Sequence, residues 1–413
     1  MERLLKDMFG AAVAAARPSV FMPRAISALD LTEPIHVIGA GKASTGMAEV
    51  VEALLDVRSG VVVTRYGQAS TCRLRRVSVL EAAHPVPDDA SARAAVEILS
   101  AARGCPRETT MLCLLSGGGS SLMSLPVSGV TRLEKANLIR SMLEAGVPID
   151  EMNCVRRHIS AVKGGRLAKA SAARLVTLAL SDVVGDNPST IASGPTSPDD
   201  TTLADALDVL ERFRVKAAPS ILAALRDPAN ETPSSSDPAF ERCRFRIVAC
   251  GEDALAAAEA VARSERWDVI NLGAGITGDS RAAASMMAGR VRELRAAGRR
   301  CVLLSGGETT TVVRGPGCGG RNTEFLLALA LELKGQKGIW ALAADTDGID
   351  GVGGHAGAWF GPSVLAGLEE LSQMAITHLD ESNSAGFFEM AGGLIETGPT
   401  GTNVNDFRAI LID

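Results

Sequence analysis

CVLLSGGETTTVVRGPGCGGRNTE, residues 301–324, runs from an apolar strand through a Ser305-Gly306-Gly307 turn and a glycine-rich loop to an arginine at the mouth of a helix. The helix is legible from both ends. Asn322 is a good N-cap, Glu324 stands in the first turn, and Lys334-Gly335 ends it with a cation and a C′ glycine. Amide N–H groups at that start, the positive end of the helix dipole and Arg321 together suit a phosphate or a carboxylate.

MLCLLSGGGSS at 111–121 repeats the register, with Ser116-Gly117-Gly118 in place of Ser305-Gly306-Gly307 and hydroxyl residues following both. Two such loops suggest two related lobes. Outward from them the chain alternates strand and helix. IHVIGAGK, GVVVT, VSVL, TMLCLL and LVTLAL fill the first half, and FRIVAC, DVINL, CVLL and IWALAA the second. Such alternation predicts an α/β protein of two lobes, each a mostly parallel Rossmann-like sheet flanked by helices. RDPANETPSSSDPAF (226–240), rich in Pro and Ser, marks the linker, so the expected domains are 1–235 and 236–413. Ligands of open α/β sheets collect beyond the carboxyl ends of strands, and with two lobes the cleft between them is the expected site.

At 413 residues, two cores are the default. A net charge of −6 and only 3 Trp, 1 Tyr and 10 Phe exclude a nucleic-acid footprint and leave a small polar anion as the fitting ligand. MERLLKDMFGAAVAAARP reads as an amphipathic helix, which makes the cytoplasm the expected location. Eight cysteines carry no CxxC pair, so neither disulfides nor zinc are expected.

Lys42 follows the first glycine turn, Gly39-Ala40-Gly41, where its ammonium can balance a phosphate, although neither the Walker spacing nor the full dinucleotide pattern is present. Gly273-x-Gly275-x-x-Gly278 does match the dinucleotide fingerprint, but no ribose-binding carboxylate ends the next strand. Arg156, Arg157, Lys163, Arg166 and Lys169 read first as a solvated basic face, interrupted by Gly164-Gly165. That glycine pair is more easily explained by close approach of a ligand or another backbone. Asp182 and Asp186 follow one buried strand, and Asp345, Asp347 and Asp350 another; carboxylates at strand ends facing glycine-rich loops are how Mg²⁺ is held against phosphates.

In order along almost the whole chain, VIGAGKAS, LLSGGGSSL, NCVRRHISAVKGGRLA, LSDVVGDNPSTIASGPT, LLSGGETT, GGRNTEF, AADTDGIDG and GPTGTNVND resemble the signature blocks of the glycerate 2-kinase family, whose C-terminal half is the MOFRL domain. The resemblance implies an active site in the interdomain cleft and phosphorylation of D-glycerate on its 2-hydroxyl with ATP and Mg²⁺. It also implies that Lys42 and Arg321 are functional.

Phosphoryl transfer needs positioned amides, cations, carboxylate-held Mg²⁺ and a group that orients the attacking hydroxyl. The corresponding expectations are Lys42, Arg321 and Asp347 as catalytic residues and Asp182 and Asp345 as metal ligands. Gly41, Ser116, Gly117, Gly118, Gly119, Ser120, Ser121, Asn153, Lys163, Ser305, Gly306, Gly307, Glu308 and Thr309 are expected to bind substrate and phosphate. Two alternatives stand beside the kinase: an NAD(P)H-dependent hydroxypyruvate reductase, and a non-catalytic small-anion binding protein. The expected partners are D-glycerate and ATP, with neither nucleic acid nor membrane, and a homodimer is allowed for.

Overall fold

A computed structural model describes every residue except 70–72, 363 and 365–367, which leaves Cys72 outside the described residues. Two compact units result: Phe21–Val248, and Met1–Val20 together with Ala249–Asp413.

The first unit carries β1 (Ile35–Ala40), β2 (Val57–Arg65), β3 (Val77–Ala82), β4 (Thr110–Leu115), β5 (Arg174–Leu180) and β6 (Cys243–Ala249), ordered β3-β2-β1-β4-β5-β6. Every pairing from β3 across to β5 is parallel. β4 is buried along its whole length, as a strand covered on both faces must be. Cys113, Leu115, Leu175 and Ile38 pack with Ala94, Ala95 and Ile98 of the helix Asp89–Gly104. From β1 the chain winds to β2 and β3 on one side and then returns to lay β4 on the other. The winding therefore reverses between β1 and β4, and the loops leaving those two strands flank the crevice where such sheets take ligands.

The second unit carries β7 (Asp268–Asn271), β8 (Ile276–Asp279), β9 (Cys301–Thr310), β10 (Ile339–Asp345), β11 (Gly357–Phe360), β12 (Leu394–Ile395) and β13 (Asp406–Ile412). Their order is β12-β11-β10-β13-β9-β7, with β8 paired to β9 off that path. β7 and β8 run parallel to β9, but β13 is antiparallel to β9 and β10, and β11 is antiparallel to β10 and β12. The two-sheet α/β architecture is as expected, yet this second sheet is mixed where a mostly parallel one was expected. β13 is buried at every residue, and a strand covered on both faces reads the same in either direction.

The chain also divides elsewhere than at residue 235. FRIVA lies in β6, which closes the first sheet because Phe245 and Ile247 pack on that unit's core. The helix Glu2–Ala15 belongs to the second unit, where the rings of Phe9 and Phe407 lie 5.8 Å apart. Nor is 226–240 a free linker: Glu231 bonds His158 at 3.0 Å, and the Pro233 carbonyl accepts from the Asp199 N–H at 3.1 Å. Among the described residues no helix is long and apolar enough to cross a membrane.

Candidate functional site

In the first unit the loops after β1 and β4 are joined by backbone contacts. The Lys42 N–H donates to the Gly117 carbonyl at 2.8 Å, the Ser116 N–H to Ala40 at 3.2 Å, and the Ala43 N–H to Ser116 Oγ at 3.0 Å. Gly41 is demanded by this closeness, because a Cβ there would lie 2.5 Å from the Ser116 carbonyl oxygen. Gly118, at φ +83°, turns the chain into the short helix Gly119–Leu122, and a Cβ on it would stand 3.5 Å from Lys42 Cγ. Ser116-Gly117-Gly118 is therefore a true turn, with the stem of Lys42 against it. Asp182 leaves the parallel strand β5 at the same edge of the sheet. Ser44, where a dinucleotide loop has its third glycine, gives its hydroxyl to the Gly41 carbonyl at 2.8 Å.

Ser121 bonds back to the Gly118 carbonyl at 3.0 Å, whereas Ser120 faces cations. Lys163 Nζ donates to the Ser120 carbonyl at 2.6 Å and to its Oγ at 2.5 Å; Arg156 Nη2 donates to the same Oγ at 2.7 Å and Nη1 to Asn153 Oδ1 at 3.3 Å. Lys135 reaches Ser124 Oγ at 3.5 Å. Burial pushes Lys135 down to about 7, with Arg156 adding to the effect. Burial likewise carries Lys163 well below its ordinary value, reinforced by Arg156 and Lys135.

Ser120, Asn153 and Lys163, expected from the sequence, are thus brought together. Arg156 was expected in a solvated face, and Lys135 gave no signal at all, since a lysine on an amphipathic helix reads as exposed; it is only 4% exposed. The other basic residues of this stretch are occupied elsewhere. Arg157 pairs with Asp199 at 2.9 Å, Lys169 with Asp237 at 3.0 Å, and Arg166 donates to the Asn230 carbonyl. His158, buried between the Cys154 carbonyl and Glu231, is structural. Gly164 and Gly165, at φ +55° and +75°, admit Thr232, Phe240 and the Ser197 carbonyl, so another part of the chain makes the close approach.

In the second unit Ser305-Gly306-Gly307 is not a turn. It lies inside β9, with Gly307 opposite Asp406 of β13 and Ile276 of β8. A Cβ on Gly307 would lie 2.1 Å from the Ile276 carbonyl oxygen, so glycine here admits a neighbouring strand. Two nearly identical sequences thus serve different geometries. Gly278 of the fingerprint falls in β8, ahead of the helix Ser280–Ala296, so a strand occupies the place where a dinucleotide loop runs straight into its helix.

The next helix spans Arg321–Glu332 with Gly320, not Asn322, as its N-cap. Its first amides are not open to a ligand. Asp350 accepts from the Asn322 and Thr323 N–H groups, both at 2.9 Å, so the anion at this helix start is the protein's own carboxylate. Arg321 instead spreads over three carboxylates: Asp406 at 2.6 Å, Asp345 at 2.7 Å and Glu308 at 3.3 Å. Asp406 also accepts from Asn322 Nδ2 at 2.8 Å, the Thr309 N–H at 3.1 Å and Arg408 Nη2 at 2.5 Å. This hub was not singled out from the sequence, although Asp406 ends the GPTGTNVND block just ahead of the closing apolar run.

Burial opposes the charge on Arg321, but Asp406 and Asp345 outweigh it and hold the guanidinium above its ordinary value. Burial, then Asp347, pushes Asp345 well above the usual carboxylate range despite Arg321. Arg321 thus pairs with Glu308, Asp345 and Asp406, and Arg408 with Asp406, while Asp350 is taken up by the helix start. Among the described residues no three His, Cys, Asp or Glu side chains converge to hold a metal alone. Asp345 and Asp347 are joined locally, the Asp347 N–H donating to Asp345 Oδ1 at 2.9 Å.

Residues 4–226 match the family described as a domain of unknown function (DUF4147), and residues 301–406 match the MOFRL family. The chain is 44% identical over 420 residues to an Agrobacterium vitis protein named "Putative hydroxypyruvate reductase", covering 99% of this chain and 94% of that one. It is 33% identical over 419 residues to the D-glycerate 2-kinase of Thermotoga maritima, covering 100% and 98%. A crystal structure of glycerate kinase from Thermotoga maritima superposes with a TM-score of 0.91 at 33% identity, over 100% of this chain and 99% of that one.

Proposed function

Because this chain belongs to the glycerate 2-kinase family, we propose that it transfers the terminal phosphoryl group of ATP to the 2-hydroxyl of D-glycerate, with Mg²⁺ accompanying the nucleotide. The enzyme is a glycerate kinase; the end-to-end likeness to a D-glycerate 2-kinase is the observation that carries this. The substrate oxygen attacks the terminal phosphorus, the bond to the bridging oxygen breaks, and ADP leaves. Asp347 accepts the hydroxyl proton. Lys42, set against the Ser116–Gly118 turn, and Arg321 supply positive charge for the transferring group. Asp345 and Asp182 are the proposed carboxylates for Mg²⁺, which when bound neutralises phosphate charge.

The name borne by the Agrobacterium relative favours a second activity, reduction of hydroxypyruvate by NAD(P)H. Ser44 in place of the third glycine, and a strand where the other fingerprint needs a helix, weigh against it. An ADP-release assay with D-glycerate beside NADH absorbance with hydroxypyruvate separates the two. Glycerate-dependent ADP release without NADH oxidation is the expected result; the reverse pattern overturns the proposal.

A further inference from the structure

Lys135, Arg156 and Lys163 lie in one buried group, and none of them has an acidic partner among the described residues. Among the described residues their side-chain hydrogen bonds go to Ser120, Ser124 and Asn153. Lys163 is 1% exposed and Lys135 4%, and Arg156 Nε is buried with no acceptor. Elsewhere in the same unit buried charge is paired, as Arg157 is with Asp199. Like charges brought together out of water without a counter-ion destabilise a fold, so such a cluster marks a place completed by an anion from outside.

Ser120 shows where that anion arrives. Its Oγ accepts from both Lys163 and Arg156, so its single proton is left for Ser193 Oγ at 3.0 Å, and the hydroxyl is fully used. The cations nonetheless retain more N–H donors than these acceptors satisfy. Ser120 and Arg156 are partly exposed while both lysines are not, which gives the group an open side and a closed back. Ser120 stands two residues beyond Gly118, the turn beside which the stem of Lys42 lies.

We propose that Lys163 and Arg156, gathered on Ser120, together with Lys135 on Ser124, form the seat for the carboxylate of the acceptor substrate, and so select an acid over a neutral polyol. The inference rests on the kinase activity proposed above. A carboxylate fits the seat because it is closed behind by the two buried lysines, and the Arg156 guanidinium fork together with the lysine point charges offers donors that a small planar anion satisfies together. In a 2-hydroxy acid the reacting hydroxyl is on the carbon next to the carboxylate. Fixing the carboxylate at Ser120 therefore fixes that hydroxyl near the glycine turn. Lys135 and Arg156 act as binding residues, not as proton-transfer groups.

The test compares D-glycerate with glyceramide, in which a neutral amide replaces the carboxylate, for the full-length enzyme and for Lys135→Met and Arg156→Met. The expected wild-type preference in kcat/KM for glycerate is large, and each variant reduces that preference by about 10- to 100-fold, as loss of a charge-assisted hydrogen bond does. KM for ATP stays within about twofold. A preference retained in both variants, or a rise in the KM for ATP with glycerate binding intact, overturns the seat while leaving the kinase standing. No glycerate-dependent ADP release from wild type removes the underlying activity instead. Calorimetry on the wild type gives a check free of folding effects. At pH 8, glycerate binding takes up protons because the arriving anion recharges Lys135, and binding with no proton uptake contradicts the proposal.

Discussion

Asp350 caps the helix Arg321–Glu332 from outside it: its Oδ1 accepts from the Asn322 N–H and its Oδ2 from the Thr323 N–H, each at 2.9 Å. Thr323 Oγ1 and Asn322 Nδ2 add further donors at 3.0 and 3.3 Å. Asp350→Ala strands these buried groups, so it should lower stability by about 2–4 kcal/mol. Urea unfolding measures this as a lower midpoint at constant slope; an unchanged midpoint means the cap is dispensable.

Arg321 holds Asp345 and Asp406 together. Arg321→Ala leaves both carboxylates buried without it, which should cost about 3–5 kcal/mol, and should lower kcat by about 10²-fold or more in the fraction that remains folded. Arg321→Lys keeps the charge but loses the fork that spans the two acids, so most of the kcat loss should persist. Full turnover in the lysine variant would show that charge alone suffices.

Lys42→Ala should lower kcat by about 10²-fold while the protein stays folded. Steady-state kinetics beside circular dichroism reads both. Near wild-type turnover removes Lys42 from the mechanism.

Lys135 has a folded-state value of about 7 against an ordinary 10.5, so between those pH values the unfolded chain holds more protons and stability rises with pH. The destabilisation is complete below pH 7 and relieved toward pH 10. Lys135→Met should therefore be more stable than wild type at pH 6, with a gap that shrinks by pH 9.5, while glycerate affinity in the wild type falls over the same interval. A gap independent of pH would contradict the buried cation.

Gly307→Ala pushes a Cβ into the Ile276 carbonyl and should cost about 2 kcal/mol or more by parting β8 from β9. Gly289→Ala, in the helix Ser280–Ala296 with nothing within 4 Å, should instead stabilise by about 0.5–1 kcal/mol. Thermal melts of the pair distinguish a glycine needed for close approach from one that is not.

Where the hydrophobic run and the turn chemistry agreed, the sequence was legible. β4 begins and ends at the predicted residues, and the glycine turns beside Lys42 and Ser116 lie where strand exits were expected. Local pattern could not say that Gly306-Gly307 sits within a strand, because that depends on β8 and β13 arriving with Ile276, 31 residues upstream of Gly307, and Asp406, 99 downstream. Nor could it orient β13. Lys135 and the hub role of Asp406 were missed for a related reason: a charge on a helix or at a strand start reads as surface until the tertiary structure buries it.

The most direct measurement is ³¹P and ¹H NMR of the product formed from D-glycerate and ATP by the wild-type enzyme. The expected spectrum shows ADP together with a phosphate coupled to the C2 proton of glycerate. A phosphate coupled to the C3 protons, or no phosphorylated acid at all, contradicts the assignment of the 2-hydroxyl as acceptor.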